Sequence, residues 1–138
     1  MNKLRGTITA VESADHLSIV DVEVGGVTLS SIVLETPETT SYLRAGHAID
    51  VVFKESTVSI GKNLSGLLSQ RNRLEARITV VEEGKILTRL VLDFHGATVV
   101  SLITTRSANS MAIKAGDIVQ AVIKSSDIAL MEILPDEL

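Results

Sequence analysis

A chain of 138 residues with no cysteine has neither disulfide staples nor thiolate metal ligands, and its net charge of −4 does not suit a general phosphate-backbone binder. Its aromatic residues are only Tyr42, Phe53 and Phe94, too few for a base-stacking platform, so nucleic acid is not an expected direct partner. No stretch approaches the roughly 20 apolar residues of a membrane-spanning helix, and the first residues read as alternation and not as a signal peptide, so a cytoplasmic location without membrane attachment is expected.

Period-two alternation begins at once, with Leu4, Gly6, Ile8 and Ala10 on one face of a first strand. Leu17 and Ile19, with Val20, Val22 and Val24, predict a second strand, and Gly25-Gly26 a tight hairpin into a third at residues 27–34. The segment TPETTSYLRAGH breaks the alternation. It starts with capping residue types and ends at Ala-Gly, which predicts a short helix stopped by glycine. A fourth strand follows at 48–54 and a short fifth at 58–60. The connector GKNLSGLLSQR carries Leu64, Leu67 and Leu68, which predicts an ordered, packed segment and not a loose linker. The series then repeats, with strands from Leu74 to Val80, Ile86 to Phe94, 97–104, 118–124 and 128–131, a hairpin at Gly96, and a second short helix in TRSANSMAIKAGD.

Residues 2–61 lie over 72–131 at a constant shift of 70 without a gap, and about a quarter of the positions are identical. Asn2 falls on Asn72, Ile8-Thr9 on Ile78-Thr79, Ser31 on Ser101, Ala45-Gly46 on Ala115-Gly116 and Lys54 on Lys124. Five short strands with one helical turn between the third and fourth predict an all-β chain: two tandem OB-like five-stranded β-barrels, each with one short helix. The division expected is 1–61 for the first copy, 62–71 for the connector and 72–138 for the second. Units of this size are marginal alone, so packing into a homo-oligomer is expected. Charge is uneven: residues 1–61 carry four basic and eight acidic side chains, residues 62–131 nine and six. An anion would be welcome on the second copy.

The string Ser69-Gln70-Arg71-Asn72-Arg73-Leu74, followed by VVSLITTRSANSMAIKAGDIVQAVIKSSDIAL, resembles the molybdate-binding molbindin (Mop, or TOBE-type) family, and the doubled arrangement resembles its paired-domain members. The resemblance covers all of the second copy and, more weakly, the first. It implies oxyanion pockets at subunit interfaces, with Ser69, the backbone of Gln70, Arg71, Thr104, Lys124 and Ser125 as ligands for molybdate or tungstate. Gln70 stands where the family usually has Ala. A secondary anion site near the oligomer axis would fall on Ser31 and Ser101. A trimer is favoured by the resemblance, with a dimer as the alternative. The donor set suits the chemistry independently: a tetrahedral dianion needs hydroxyl, peptide N–H and cationic donors converging without acceptors nearby. No metal cation is expected, since His16, His47 and His95 do not cluster.

In the first copy Glu55 stands opposite Ser125 and Leu34 opposite Thr104, so only Lys54 of the set survives. That copy is expected to be structural and the second to bear the site. The bland readings are a solvated Lys124 at a strand end, an ordinary surface pair between Arg71 and Glu75, and local hydroxyl bonds for Ser31 and Ser101. The functional expectation is reversible molybdate binding for intracellular storage, homeostasis and transport, with transporter or cofactor-synthesis proteins as partners. The alternatives are an oxyanion-responsive accessory module of a molybdate transporter or repressor, and an OB-type module for another ligand. No nucleophile–base constellation predicts an enzyme.

Overall fold

Alternating burial along most of the strands places one residue in two inside a barrel, and the computed structural model describes all 138 residues. The strands are β1 (Asn2–Ala14), β2 (Leu17–Val24), β3 (Val27–Val33), β4 (Ala48–Phe53) and β5 (Ser59–Gly61), then β6 (Asn72–Glu83), β7 (Leu87–Phe94), β8 (Ala97–Thr104), β9 (Ile118–Ile123) and β10 (Ala129–Met131). They form two five-stranded sheets, ordered β10-β4-β1-β2-β3 and β5-β9-β6-β7-β8. No helix is long and apolar enough to cross a membrane.

The short last strands are exchanged between the copies. β5 pairs antiparallel with β9, Ile60 opposite Ala121, and β10 pairs with β4, Leu130 opposite Val51. The compact units are therefore Lys3–Phe53 with Lys124–Leu138, the first barrel, and Met1–Asn2 with Lys54–Ile123, the second. This departs from the linear division at 1–61 and 72–138. The cause is local. Between β4 and β5 runs a 3-10 turn, Glu55–Thr57, flanked by extended Lys54 and Val58. No residue there has the positive φ that a tight reversal onto β4 would need. The equivalent turn, Ser125–Asp127, is flanked by extended Lys124 and Ile128.

Within the first barrel Ile8, Val20, Val22, Leu29, Ile49, Val51 and Phe53 are buried, and within the second Leu74, Ile78, Leu90, Leu92, Phe94, Val99 and Ile123. Both first strands carry a bulge at the matched threonines, Thr9 and Thr79, where the register to the next strand slips by one. Beside it Gly46 donates to the Ile8 carbonyl at 2.7 Å and Gly116 to the Ile78 carbonyl at 2.7 Å. Their φ values of 89° and 96° explain why both copies keep glycine there.

Two expectations are corrected. Only the second copy forms a helix, α1 (Thr105–Ser110), capped by Thr104, whose hydroxyl accepts from the Ser107 N–H. In the first copy Leu34 cannot cap, and residues 37–42 form turns, in which the Thr40 N–H donates to the Thr36 carbonyl. The connector is not packed away within the chain. Leu64 covers Gly61, yet Leu64 and Leu68 remain 42 % and 46 % exposed and Leu67 is fully exposed.

Candidate functional site

In the second barrel the end of β8, the start of α1 and the strand-exchanged segment 56–60 enclose a cleft of about 330 Å³. Hydroxyl-bearing Thr104, Ser107, Ser56 and Ser59 line it, with apolar Ile103 and Met111. Thr104 is there because the β8 register, Leu87 opposite Thr104, brings its exposed hydroxyl to the strand end where the helix begins. That hydroxyl is already engaged: it donates to Ser107 Oγ at 2.9 Å and accepts from the Ser107 N–H at 3.1 Å. Ser107 Oγ accepts from Thr104 and so retains its own proton to offer outward. The sequence reading did not single out Ser56, Ser59 or Ser107. The match of Ser56 to Ser126 was the available signal for the first; Ser59 reaches the cleft because β5 is exchanged, and Ser107 because α1 begins at Thr104.

Ser69, Gln70 and Arg71 lie at the end of the connector, directly before β6, with Ser69 and Arg71 exposed and Gln70 half-buried. The Gln70 carbonyl accepts from Arg73 Nε at 3.3 Å. Glu75 forms no ion pair with Arg71. The structure assigns these three and Thr104 to the second barrel, whereas Lys124 and Ser125, at the start of the 3-10 turn after β9, belong to the first. Lys124 is exposed and Ser125 half-buried. The six expected ligands are thus divided four and two between the compact units. That division could not be read from their order along the chain.

Glu55, the acidic residue of the first copy, is also in the second barrel, where its carboxylate pairs with the Met1 ammonium. That hydrogen bond is the main reason the Glu55 carboxyl lies below its ordinary range, with the charges of the ammonium and Arg89 adding to it. Next to Met1, the Asn2 side chain closes a two-bond clamp on β8, donating to the Val100 carbonyl at 2.8 Å and accepting from the Val100 N–H at 2.7 Å.

Ser31 and Ser101 are buried, and each hydroxyl closes its own barrel. Ser31 donates to the Ile128 carbonyl and Ser101 to the Val58 carbonyl, both at 2.6 Å. In this arrangement each hydroxyl commits its one proton to a carbonyl of its own barrel.

The TOBE domain model matches residues 68–130, a span that contains all six expected ligands. Molybdenum-pterin-binding protein 3 of Clostridium pasteurianum is 32 % identical over 65 residues, 46 % of this chain and 96 % of that protein. Molybdenum-pterin-binding protein 1 of the same organism is 31 % identical over 65 residues, with the same coverage. The chain belongs to the TOBE, or molbindin, family. These relatives correspond to one copy, and a solved structure accounts for both. The cytoplasmic molybdate-binding protein ModG, in a form with molybdate bound, superimposes with a TM-score of 0.89 at 29 % identity, covering 96 % of each chain. This is a two-barrel molbindin.

Proposed function

We propose that this molbindin binds molybdate in the cytoplasm, with tungstate as a second ligand of the same shape, and serves its intracellular storage, homeostasis and transport. The observation that carries the reading is the near-complete overlap, over both barrels, with molybdate-bound ModG. The family match supports it, since it spans the Ser69-Gln70-Arg71 segment through the Lys124-Ser125 turn.

The proposed ligand set is Ser69, the Gln70 peptide N–H, Arg71, Thr104, Lys124 and Ser125, completed where copies of the chain meet in a homo-oligomer, a trimer in preference to a dimer. The exposure of Ser69, Arg71, Thr104 and Lys124, and the assignment of Lys124 and Ser125 to a different compact unit from the other four, support an interface site. Arg71 and Lys124 offset the dianion's charge, and the hydroxyls and peptide N–H fill its remaining oxygens. The protein's part is binding and not catalysis, and no metal cation takes part.

Calorimetric titration with molybdate, tungstate and sulfate, together with native mass measurement, tests the reading. Molybdate and tungstate should bind with sulfate much weaker. Lys124→Ala should weaken molybdate by about 10- to 100-fold, the loss of one charge-assisted bond, and Lys54→Ala should leave it near the parent value. The reverse order would overturn the assignment. Failure of an intact oligomer to bind any oxyanion would favour the accessory-module role.

A further inference from the structure

A ligand on the last residue of a strand is placed only as well as that strand end is held. Thr104 has that position on β8, and the next residue, Thr105, is buried and anchored by three hydrogen bonds. Its N–H donates to the Ile86 carbonyl at 2.8 Å, and its hydroxyl donates to the Gly84 carbonyl at 2.7 Å. With that proton spent, the fully buried Thr88 hydroxyl on β7 donates to Thr105 Oγ1 at 2.9 Å. Gly84 and Ile86 belong to the β6–β7 hairpin, which the Gly84 N–H closes by donating to the Leu87 carbonyl at 2.9 Å. A Cβ at residue 84 would lie 2.5 Å from that carbonyl oxygen, so glycine is required where the anchor is made.

The first copy lacks this anchor together with the ligand. At the shift of 70, Leu34 stands for Thr104 and Glu35 for Thr105. Leu34 is exposed, no helix follows it, and the Glu35 carboxylate turns to its own loop, accepting from the Thr40 and Tyr42 hydroxyls. Ser18, the match of Thr88, donates to the Glu35 backbone carbonyl instead. We propose that Thr105 is a positioning residue for oxyanion binding, which rests on the molybdate reading above and extends it to a side chain that does not line the cleft. Its bonds fix the end of β8 and the start of α1, so that the Thr104 hydroxyl, braced by the Ser107 N–H at 3.1 Å, is held at the cleft. Burial shields these bonds from competing water, which makes them firmer than the same contacts on the surface.

Thr105→Val keeps the side-chain shape and removes the hydroxyl, whereas Thr105→Ser keeps the hydroxyl. In calorimetric titration of the full chain with molybdate, Thr105→Val should bind about fivefold more weakly than the parent, the worth of one misdirected hydrogen bond, and Thr105→Ser within about twofold of it. The same valine substitution in a Thr104→Val chain should cost nothing further, because a residue that acts through Thr104 then has nothing left to position. A merely structural role would lower affinity by the same factor in both backgrounds. Without ligand, the Ser107 amide, which reports the Thr104 hydroxyl, should exchange faster in Thr105→Val and at the parent rate in Thr105→Ser. Should Thr105→Val not fold, Thr88→Val removes the brace from β7 and carries the same comparison in both backgrounds. Equal losses in the two backgrounds, parent-like affinity of Thr105→Val, or a Thr105→Ser chain as weak as Thr105→Val would overturn the proposal and leave the molybdate reading intact. Absence of molybdate binding by the parent would overturn that reading and this proposal with it.

Discussion

Tyr42 shows how a single side chain acquires a measurable property from its surroundings. Burial, with the Glu35 charge and a 3.2 Å hydrogen bond to the Glu35 carboxylate, pushes its hydroxyl up to about 12, and Glu132 adds to this. The folded state therefore holds the proton that the unfolded chain releases near 10, so this contribution to stability is full below pH 10 and is lost as pH rises toward 12. Urea unfolding across that range should show a falling midpoint, and Tyr42→Phe should flatten the fall. An unchanged alkaline limb in the variant would count against this account. Much at this scale was legible in the sequence. Gly25-Gly26 and Gly96 sit at positive φ in the hairpins expected of them, because a two-residue turn admits few other residues. The roles of Ser31 and Ser101 were not legible. Their acceptors lie 97 and 43 residues away, and alternation marks a residue as inward-facing without naming what it meets.

Among the elements, β1 and β6 carry the same pattern but tolerate different side chains. A Cβ at Gly6 would overlap the Glu23 carbonyl and the side chains of Val22 and Val24, whereas the matched position in β6 accommodates buried Ala76. Gly6→Ala should cost about 1–3 kcal/mol through overpacking, and Ala76→Gly less, as measured by chemical denaturation. Helix α1 hangs on its first contact. Thr104→Val removes the cap and should cost about 1 kcal/mol, with faster amide exchange confined to residues 105–111. The ten strands were readable from period-two burial. The helix in the first copy was misjudged because Ala-Gly and capping residue types occur in both copies, and the missing cap at Leu34 outweighs the rest.

At the scale of the whole molecule, the exchange of β5 and β10 was hidden from sequence analysis. Ser59-Ile60-Gly61 and Ala129-Leu130-Met131 are equally short, and either could edge β4 or β9, so the pattern establishes that a strand exists without naming its neighbour. A chain ending at Gly61 would retain β1 to β4 and lose the strand that completes their barrel. It should give a poorly dispersed NMR spectrum, and adding a peptide of residues 124–138 should restore dispersion. A well-dispersed monomer without the peptide would show that β5 can fold back onto β4. The fully exposed Leu67 is a second feature that only the folded chain discloses.

Because each half lends a strand to the other, damage cannot stay local. When the β4 sheet melts it frees β10, and when the β9 sheet melts it frees β5, so neither half can lose its order without loosening material the chain needs elsewhere. Heat should consequently dismantle this polypeptide in one calorimetric event, despite its division into two compact units.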